Sequence, residues 1–253
     1  NRGGGACDLR VEWLNGEAEF LVVYLTVDTQ EAMGANILNT MLEALKTPLE
    51  ELTGGESLMA ILSNYATEAL VTATCEIDIR FLDRNKSEAL DIAKKIVLAS
   101  QFAKQDPYRA STHNKGIFNG IDAVVLATGN DWRAIEAGAH TYASRNGSYQ
   151  GLTTWSIKEA TQTLCGEITL PLPIATKGGS IGLNPTVEVS FDLLKQPTAK
   201  EFASIIASIG LAQNFAALKA LVSTGIQHGH MKLQAKSLAL LAGAKDTEIA
   251  PLI

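Results

Sequence analysis

Between Asp106 and Arg133 the chain sets Arg109, His113, Lys115, Asn119 and Asp131 around an apolar run. In that run Ile117, Ile121, Val124 and Val125 recur at helical spacing from Lys115 onward, which predicts a helix with one buried side. Lys115 and Asn119 are four apart, so on that helix they share a face within hydrogen-bonding reach. A cation, an amide and a carboxylate near the ends of apolar helices are costly to bury unpaired. They are therefore candidates for one site. His228-Gly229-His230 looks like a metal pair, but no carboxylate or cysteine at matching spacing supports zinc.

Two helices must carry these groups. Gly129 is placed to stop the first, and Asn130 or Asp131 to cap a second over Trp132–Ser144. Upstream, Leu9, Val11 and Trp13 alternate with polar residues, and Asn15-Gly16 is a two-residue hairpin signal before a returning strand, Leu21–Val27. Asp28 and Glu31 have capping-box spacing for a helix whose stripe is Ile37, Leu38, Met41, Leu42 and Leu45. That helix is expected to stop before Thr47-Pro48, with a short one following until Gly54-Gly55. Further on come a strand over Thr72–Phe81 with Cys75, Ile77, Ile79 and Phe81 on one face, and a helix around Lys86–Gln105. Glu167–Ile174 reads as a strand that Pro171 and Pro173 confine to an edge or bend. TKGGSIG at 176–182 is a glycine loop, and Thr198 with Glu201 boxes the start of a long helix burying Phe202, Ile205, Ile206 and Ile209.

With 253 residues, 46% of them hydrophobic, the chain can bury a sizeable core in one large or two small domains. A net charge of −6 without any Lys/Arg cluster argues against nucleic acid. Cys7, Cys75 and Cys165 are widely spaced with no C-x-x-C, as expected of reduced thiols in a cytoplasmic protein. No apolar run approaches the roughly 20 residues a membrane-spanning helix needs. Both ends look cut, since Asn1 leads almost at once into a strand and the last residues follow directly on a helix.

The run DPYRASTHNKGIFNGIDAVVLATGNDWR resembles the catalytic core of class II (bacterial-type) 3-hydroxy-3-methylglutaryl-coenzyme A reductases. EAMGANILNTMLEAL at Glu31–Leu45, ILSNYATE at Ile61–Glu68 and GIQHGHMKLQAK at Gly225–Lys236 agree in the same order, so the resemblance covers nearly the whole chain. It implies an α+β fold, with a small ferredoxin-like cofactor-binding domain inserted in a larger helix-rich substrate domain. On that reading residues 1–63 are the cofactor domain, 64–224 the substrate domain without its N-terminal portion, and 225–253 the start of a C-terminal segment. The family's catalytic glutamate falls outside this chain.

By spacing alone Lys115 reads as a solvated helix lysine and Asp131 as an ordinary helix cap. The resemblance gives them catalytic roles. Lys115 becomes the cation that polarises the thioester carbonyl and holds the oxyanion of the mevaldyl intermediates, Asp131 the carboxylate that orients it and takes part in proton transfer. Asn119 fixes the lysine from one turn away. His230, the histidine of the family's GHM motif, protonates the departing thiolate: an imidazolium near 6.5 suits a thiol near 8.5. Arg109 takes the free carboxylate of the hydroxymethylglutaryl group and Asn64 contacts substrate. His113 is given no role.

No G-x-G-x-x-G lies between a strand and a helix, so the chain is not a Rossmann domain. Glu31-Ala32-Met33-Gly34-Ala35-Asn36 instead resembles the family's DAMGAN cofactor motif, with Glu for Asp, at a helix N-terminus suited to pyrophosphate. Glu31, Met33, Gly34 and Asn36 are the expected cofactor residues, for NADPH or NADH and without a metal. The implied reaction interconverts hydroxymethylglutaryl-coenzyme A with mevalonate and coenzyme A, in the mevalonate pathway of isoprenoid biosynthesis, in a homodimer whose active site forms at the interface, free of nucleic acid and membrane. The alternative is a catalytically incompetent fragment of the same fold that dimerises or binds cofactor. A metal hydrolase built on His113, His228 and Asp131 ranks last.

Overall fold

The computed structural model describes residues 3–179, 181–223, 225, 234–235 and 237–245. It is α+β and has two compact units, one of Asn1–Thr72, Gly120–Ser148 and Thr169–Ser208, the other of Ala73–Asn119, Tyr149–Ile168 and the described residues from Ile209 on.

The first unit opens with an antiparallel hairpin, β1 (Gly5–Asn15) and β2 (Glu19–Asp28), with Val11 opposite Val23 and Trp13 opposite Leu21. The turn is not the expected two-residue one. Asn15 stays in the ladder opposite Glu19, which leaves Gly16, Glu17 and Ala18 to make the loop. The Asp28–Glu31 capping box does not form either. β2 runs through Asp28, whose carboxylate accepts the backbone N–H of Gln30 at 2.9 Å, and helix α1 (Ala35–Thr53) begins only after Gly34. Gly34 has φ of 95°, and a Cβ there would lie 2.2 Å from Thr29 Cγ2, so only glycine fits.

α1 also continues through Pro48 rather than stopping before Thr47. Proline removes the bond to the Ala44 carbonyl, but Ala44 is exposed and water can take that place. The helix ends as expected, on Gly54 in the left-handed region with its N–H on the Glu50 carbonyl. This unit also holds α4 (Trp132–Ala143) and α5 (Pro185–Leu193), with Ile135, Ala139, Val187 and Phe191 buried. The α5 helix went unforeseen, although Asn184-Pro185 spells its cap and first residue: the Asn184 side chain accepts from Thr186 N–H at 3.0 Å.

A three-stranded sheet has the order β3-β5-β4, from β3 (Leu70–Asp78), β4 (Thr153–Lys158) and β5 (Thr163–Pro171). β5 is the central strand, not an edge. Pro171 is its last residue, where no further ladder bond is needed, and the strand starts earlier than expected, at Thr163. β3 ends at Asp78, whose carboxylate accepts from Arg80 N–H and turns Ile79–Phe81 into a single 3-10 turn. Ile79 is therefore buried while Phe81 points to solvent, and the expected common face is broken.

α2 (Lys86–Gln105) has the expected bounds, capped by Asn85, and buries Ile92, Ala93, Ile96 and Ala103 in the second unit. In the same unit Trp155 stacks at 5.5 Å on Phe215, and its ring lies where a Cβ on Gly166 would be, 2.5 Å away. α6 (Ala199–Val222) starts on the foreseen Thr198–Glu201 box, with reciprocal bonds of 2.9 and 3.3 Å. With mean hydropathy 1.6, α6 is long and apolar enough to cross a membrane, contrary to the sequence expectation. Single polar residues such as Ser204, Ser208 and Asn214 hide the run from the eye without lowering its average much. Its Phe202, Ile206, Leu211 and Leu218 are buried.

Candidate functional site

Helix α3 (Pro107–Ala127) is longer than the sequence suggested and begins before Arg109. Asp106 is the reason: its Oδ2 accepts the Arg109 backbone N–H at 3.0 Å and its carbonyl accepts from Ala110, while Pro107 gives up no bond in the first turn. Arg109, His113, Lys115 and Asn119 thus all sit on one helix, in the second unit. Arg109 is half-buried, and desolvation pulls its pKa down. Among the described residues its guanidinium makes no ion pair. Lys115 and Asn119 are exposed one turn apart on a common face. The foreseen hydrogen bond between them is not made.

Asp131, Asn64 and the Glu31–Asn36 residues belong to the first unit. Asp131 caps α4, its Oδ1 accepting the Ala134 N–H at 3.2 Å, with the Arg133 guanidinium 3.9 Å away. The carboxylate remains 46% exposed, so its second oxygen is free for other work. Asn64 lies in a loop pressed against that same helix: a Cβ on Gly138 would come within 2.5 Å of the Asn64 carbonyl oxygen. Gly138 lets the Asn64 segment settle on α4, and the Asn64 side chain is left exposed.

In the Glu31–Asn36 stretch the residues divide by task. The Glu31 carboxylate accepts the Thr176 hydroxyl and, at 2.9 Å, the backbone N–H of Ala199 at the start of α6. Its carbonyl accepts the N–H groups of Thr176 and Lys177 at 2.9 and 3.1 Å. Glu31 is a clamp on the loop after β5 and on α6, committed to protein partners. Gly34 and Asn36 are placed differently. Gly34 offers α1 no side-chain cap, no acidic residue stands in its first turn, and Asn36 is exposed there. The first N–H groups of α1 therefore lack a side-chain acceptor, which fits the phosphates of a dinucleotide. Met33 is half-buried beside them.

The family profile for hydroxymethylglutaryl-coenzyme A reductase matches residues 1–235. The chain belongs to that family. It is 43% identical over 250 residues to the 3-hydroxy-3-methylglutaryl-coenzyme A reductase of Archaeoglobus fulgidus, covering 98% of this chain and 56% of the relative. A probable reductase of Borreliella burgdorferi is 39% identical, with 96% and 56% covered. Among solved structures, the class II reductase of Streptococcus pneumoniae bound to NADPH in open conformations shares 71% identity with a TM-score of 0.87. That match covers 99% of this chain and 61% of the other. The chain thus spans rather more than half the length of the reductases it matches.

Within the reductase fold two features escaped sequence reasoning. The buried His113 has its Nε2 2.6 Å from Thr153 Oγ1 and 3.1 Å from Asn214 Nδ2, partners too far along the chain for local spacing to reveal. Asp122 and Glu136 form a pair of facing carboxyls in the first unit; burial first, then the neighbouring Glu136, pushes Asp122 up to about 6. An aspartate inside the apolar run Ile121–Val125 was the available signal. Among the described residues no cluster could hold a metal ion. His228 and His230 lie outside the described residues.

Proposed function

We propose that the protein reduces hydroxymethylglutaryl-coenzyme A to mevalonate and coenzyme A with two equivalents of NADPH or NADH, or runs that reaction in reverse. The observation that carries the reading is 71% identity across 99% of the chain to a class II reductase, itself bound to NADPH. The nicotinamide cofactor, when bound, supplies the hydride. Gly34 and Asn36 would hold its phosphates at the start of α1, with Met33 alongside and Glu31 keeping the motif in place. Residues 1–63 form the cofactor domain on this reading, 64–224 the substrate domain, and 225–253 lead into the segment bearing His230.

Lys115 holds the thioester oxygen as it turns negative, an interaction stronger in the transition state than before it. Asn119, one turn along, helps place the ammonium. Arg109 lacks an ion pair among the described residues and takes the substrate's free carboxylate, while Asn64 adds a polar contact. Asp131 serves as the carboxylate of proton transfer, and His230 protonates the leaving thiolate. The assembly is a homodimer with the site at its interface, working in the cytoplasm without nucleic acid or membrane.

The test follows nicotinamide absorbance with hydroxymethylglutaryl-coenzyme A on the full-length protein. Lys115→Ala is expected to lower turnover by about 10³-fold while cofactor affinity stays within about twofold of wild type. A full-length protein that oxidises no cofactor with this thioester, and reduces none with mevalonate and coenzyme A, ends the proposal.

A further inference from the structure

The segment leading from β2 into α1 is folded back on itself. The Thr29 hydroxyl donates to the Ala32 carbonyl at 2.7 Å, and the Ala32 N–H returns to the Thr29 carbonyl at 3.1 Å. Gln30 and Glu31 are the central residues of that turn, Gln30 at φ of 53°. Gly34 lies so close to the Thr29 methyl that no Cβ fits, and its carbonyl accepts the Leu38 N–H at 2.8 Å. Bonds and close packing thus run without a gap from Glu31 to the first turn of α1. A shift at Glu31 carries to the N–H groups that follow Gly34.

What holds the turn from outside lies far along the chain but in the same unit. Thr176 grips Glu31 twice, its N–H on the Glu31 carbonyl at 2.9 Å and its hydroxyl on Oε2. The same Oε2 accepts the Ala199 N–H at 2.9 Å. That N–H is left over by the box that starts α6, where Glu201 takes the N–H and hydroxyl of Thr198 and Thr198 takes the N–H of Glu201. Ala199 opens a helix of 24 residues, whose first N–H groups form the positive end of its dipole and favour a carboxylate. Both side-chain bonds therefore end on one oxygen, between the loop after β5 and the start of α6.

We infer that Thr176, acting through Glu31, is a positioning residue for the nicotinamide cofactor: with the Ala199 N–H it braces the Thr29–Gly34 turn and so places the uncapped N–H groups of α1. The role rests on the reductase reading above, which puts the cofactor phosphates at that helix start. An amide oxygen also accepts two hydrogens, so glutamine at position 31 can make both Oε2 bonds, more weakly because it is uncharged. A carboxylate that met the cofactor through its charge would have no such substitute.

Three measurements on the full-length protein test it: amide hydrogen exchange without cofactor, NADPH affinity from nicotinamide fluorescence, and steady-state kinetics. Thr176→Val and Glu31→Ala should speed exchange at Ala32 and Leu38 by about tenfold, with Ile96 in the middle of α2 exchanging as in wild type. They should weaken NADPH binding about threefold and about tenfold, KM for the cofactor rising in step while kcat and KM for the thioester stay within about twofold. Glu31→Gln should recover most of what Glu31→Ala loses. Equal losses of affinity in the glutamine and alanine variants overturn the inference, because charge and not bracing would then matter. So does Thr176→Val with unmoved exchange or affinity, and so does exchange that quickens at Ile96 as much as at Ala32. A wild type that binds NADPH, responds to the variants as expected and still turns over no thioester removes the reductase reading and leaves the brace standing.

Discussion

Helix α3 carries two desolvated titratable groups that respond in opposite senses. Burial disfavours charge at both, so His113 is pushed down from 6.5 to about 3, whereas Asp122 is pushed up from 3.8 to about 6. His113 is enclosed, with its Nε2 within hydrogen-bond distance of Thr153 and Asn214. Asp122 faces another acid, Glu136, and leaves Oδ1 buried without a partner. The same physical cause thus yields a group locked outside the working range and another that titrates near it. Linkage makes the contrast measurable. Between about pH 4 and pH 6 the unfolded chain protonates His113 more than the folded one does, so this histidine makes stability rise with pH. In that window the folded state protonates Asp122 more, so stability falls as pH rises through about 6. The two slopes oppose each other.

Breaking the histidine side should give the largest effect. His113→Ala strands Asn214 and Thr153 in the core and opens a cavity, a loss of about 3 kcal/mol of unfolding free energy in urea titrations near neutral pH. With the opposing slope gone, the variant's stability should decline between about pH 4 and pH 6. A variant that gains stability across that window would show that His113 does not titrate as described. Breaking the acid side should do the reverse by a smaller margin. Asp122→Asn leaves the histidine unopposed, so stability should climb with a slope of up to about 1.4 kcal/mol per pH unit below pH 6. At neutral pH the gain over wild type is on the order of 1 kcal/mol, since Asp122 is partly exposed and solvent screens it. Thermal unfolding at paired pH values reads both.

What the sequence made legible follows the range of the interactions involved. The α2 bounds, the Thr198–Glu201 box and the Asp131 cap are written within a few residues of where they act. The α3 start was misjudged because Asp106 caps it from within the gap to α2, a place that reads as a plain turn. Propensity rules stopped α1 at Pro48, yet an exposed helix can lose one backbone bond to water. The matched motif supplied Arg109, Lys115, Asn119 and Asp131 as the expected site residues, and the structure carries the first three on α3 and the last at the cap of α4. It also grouped Glu31 with the cofactor residues, and only the bonds to Thr176 and Ala199 reveal that its carboxylate is occupied. Neither the group of His113, Thr153 and Asn214 nor the Asp122–Glu136 pair has a local signature, because each joins elements through the fold.

The finest test separates the two causes acting on Asp122. Burial outweighs the charge of Glu136 there, so deleting the second acid should relax the first only in part. Glu136→Ala is expected to bring the Asp122 carboxyl below about 6 yet keep it above its ordinary 3.8, as followed by carboxyl carbon NMR across an acid titration. The accompanying gain in stability at neutral pH should be about 0.5 kcal/mol, the size of one like-charge contact at a partly solvated site. A return all the way to 3.8 would assign the shift to the facing acid alone. The likeness between Asp122 and His113 would then be lost, because the histidine's shift comes from enclosure first and its neighbouring cations second.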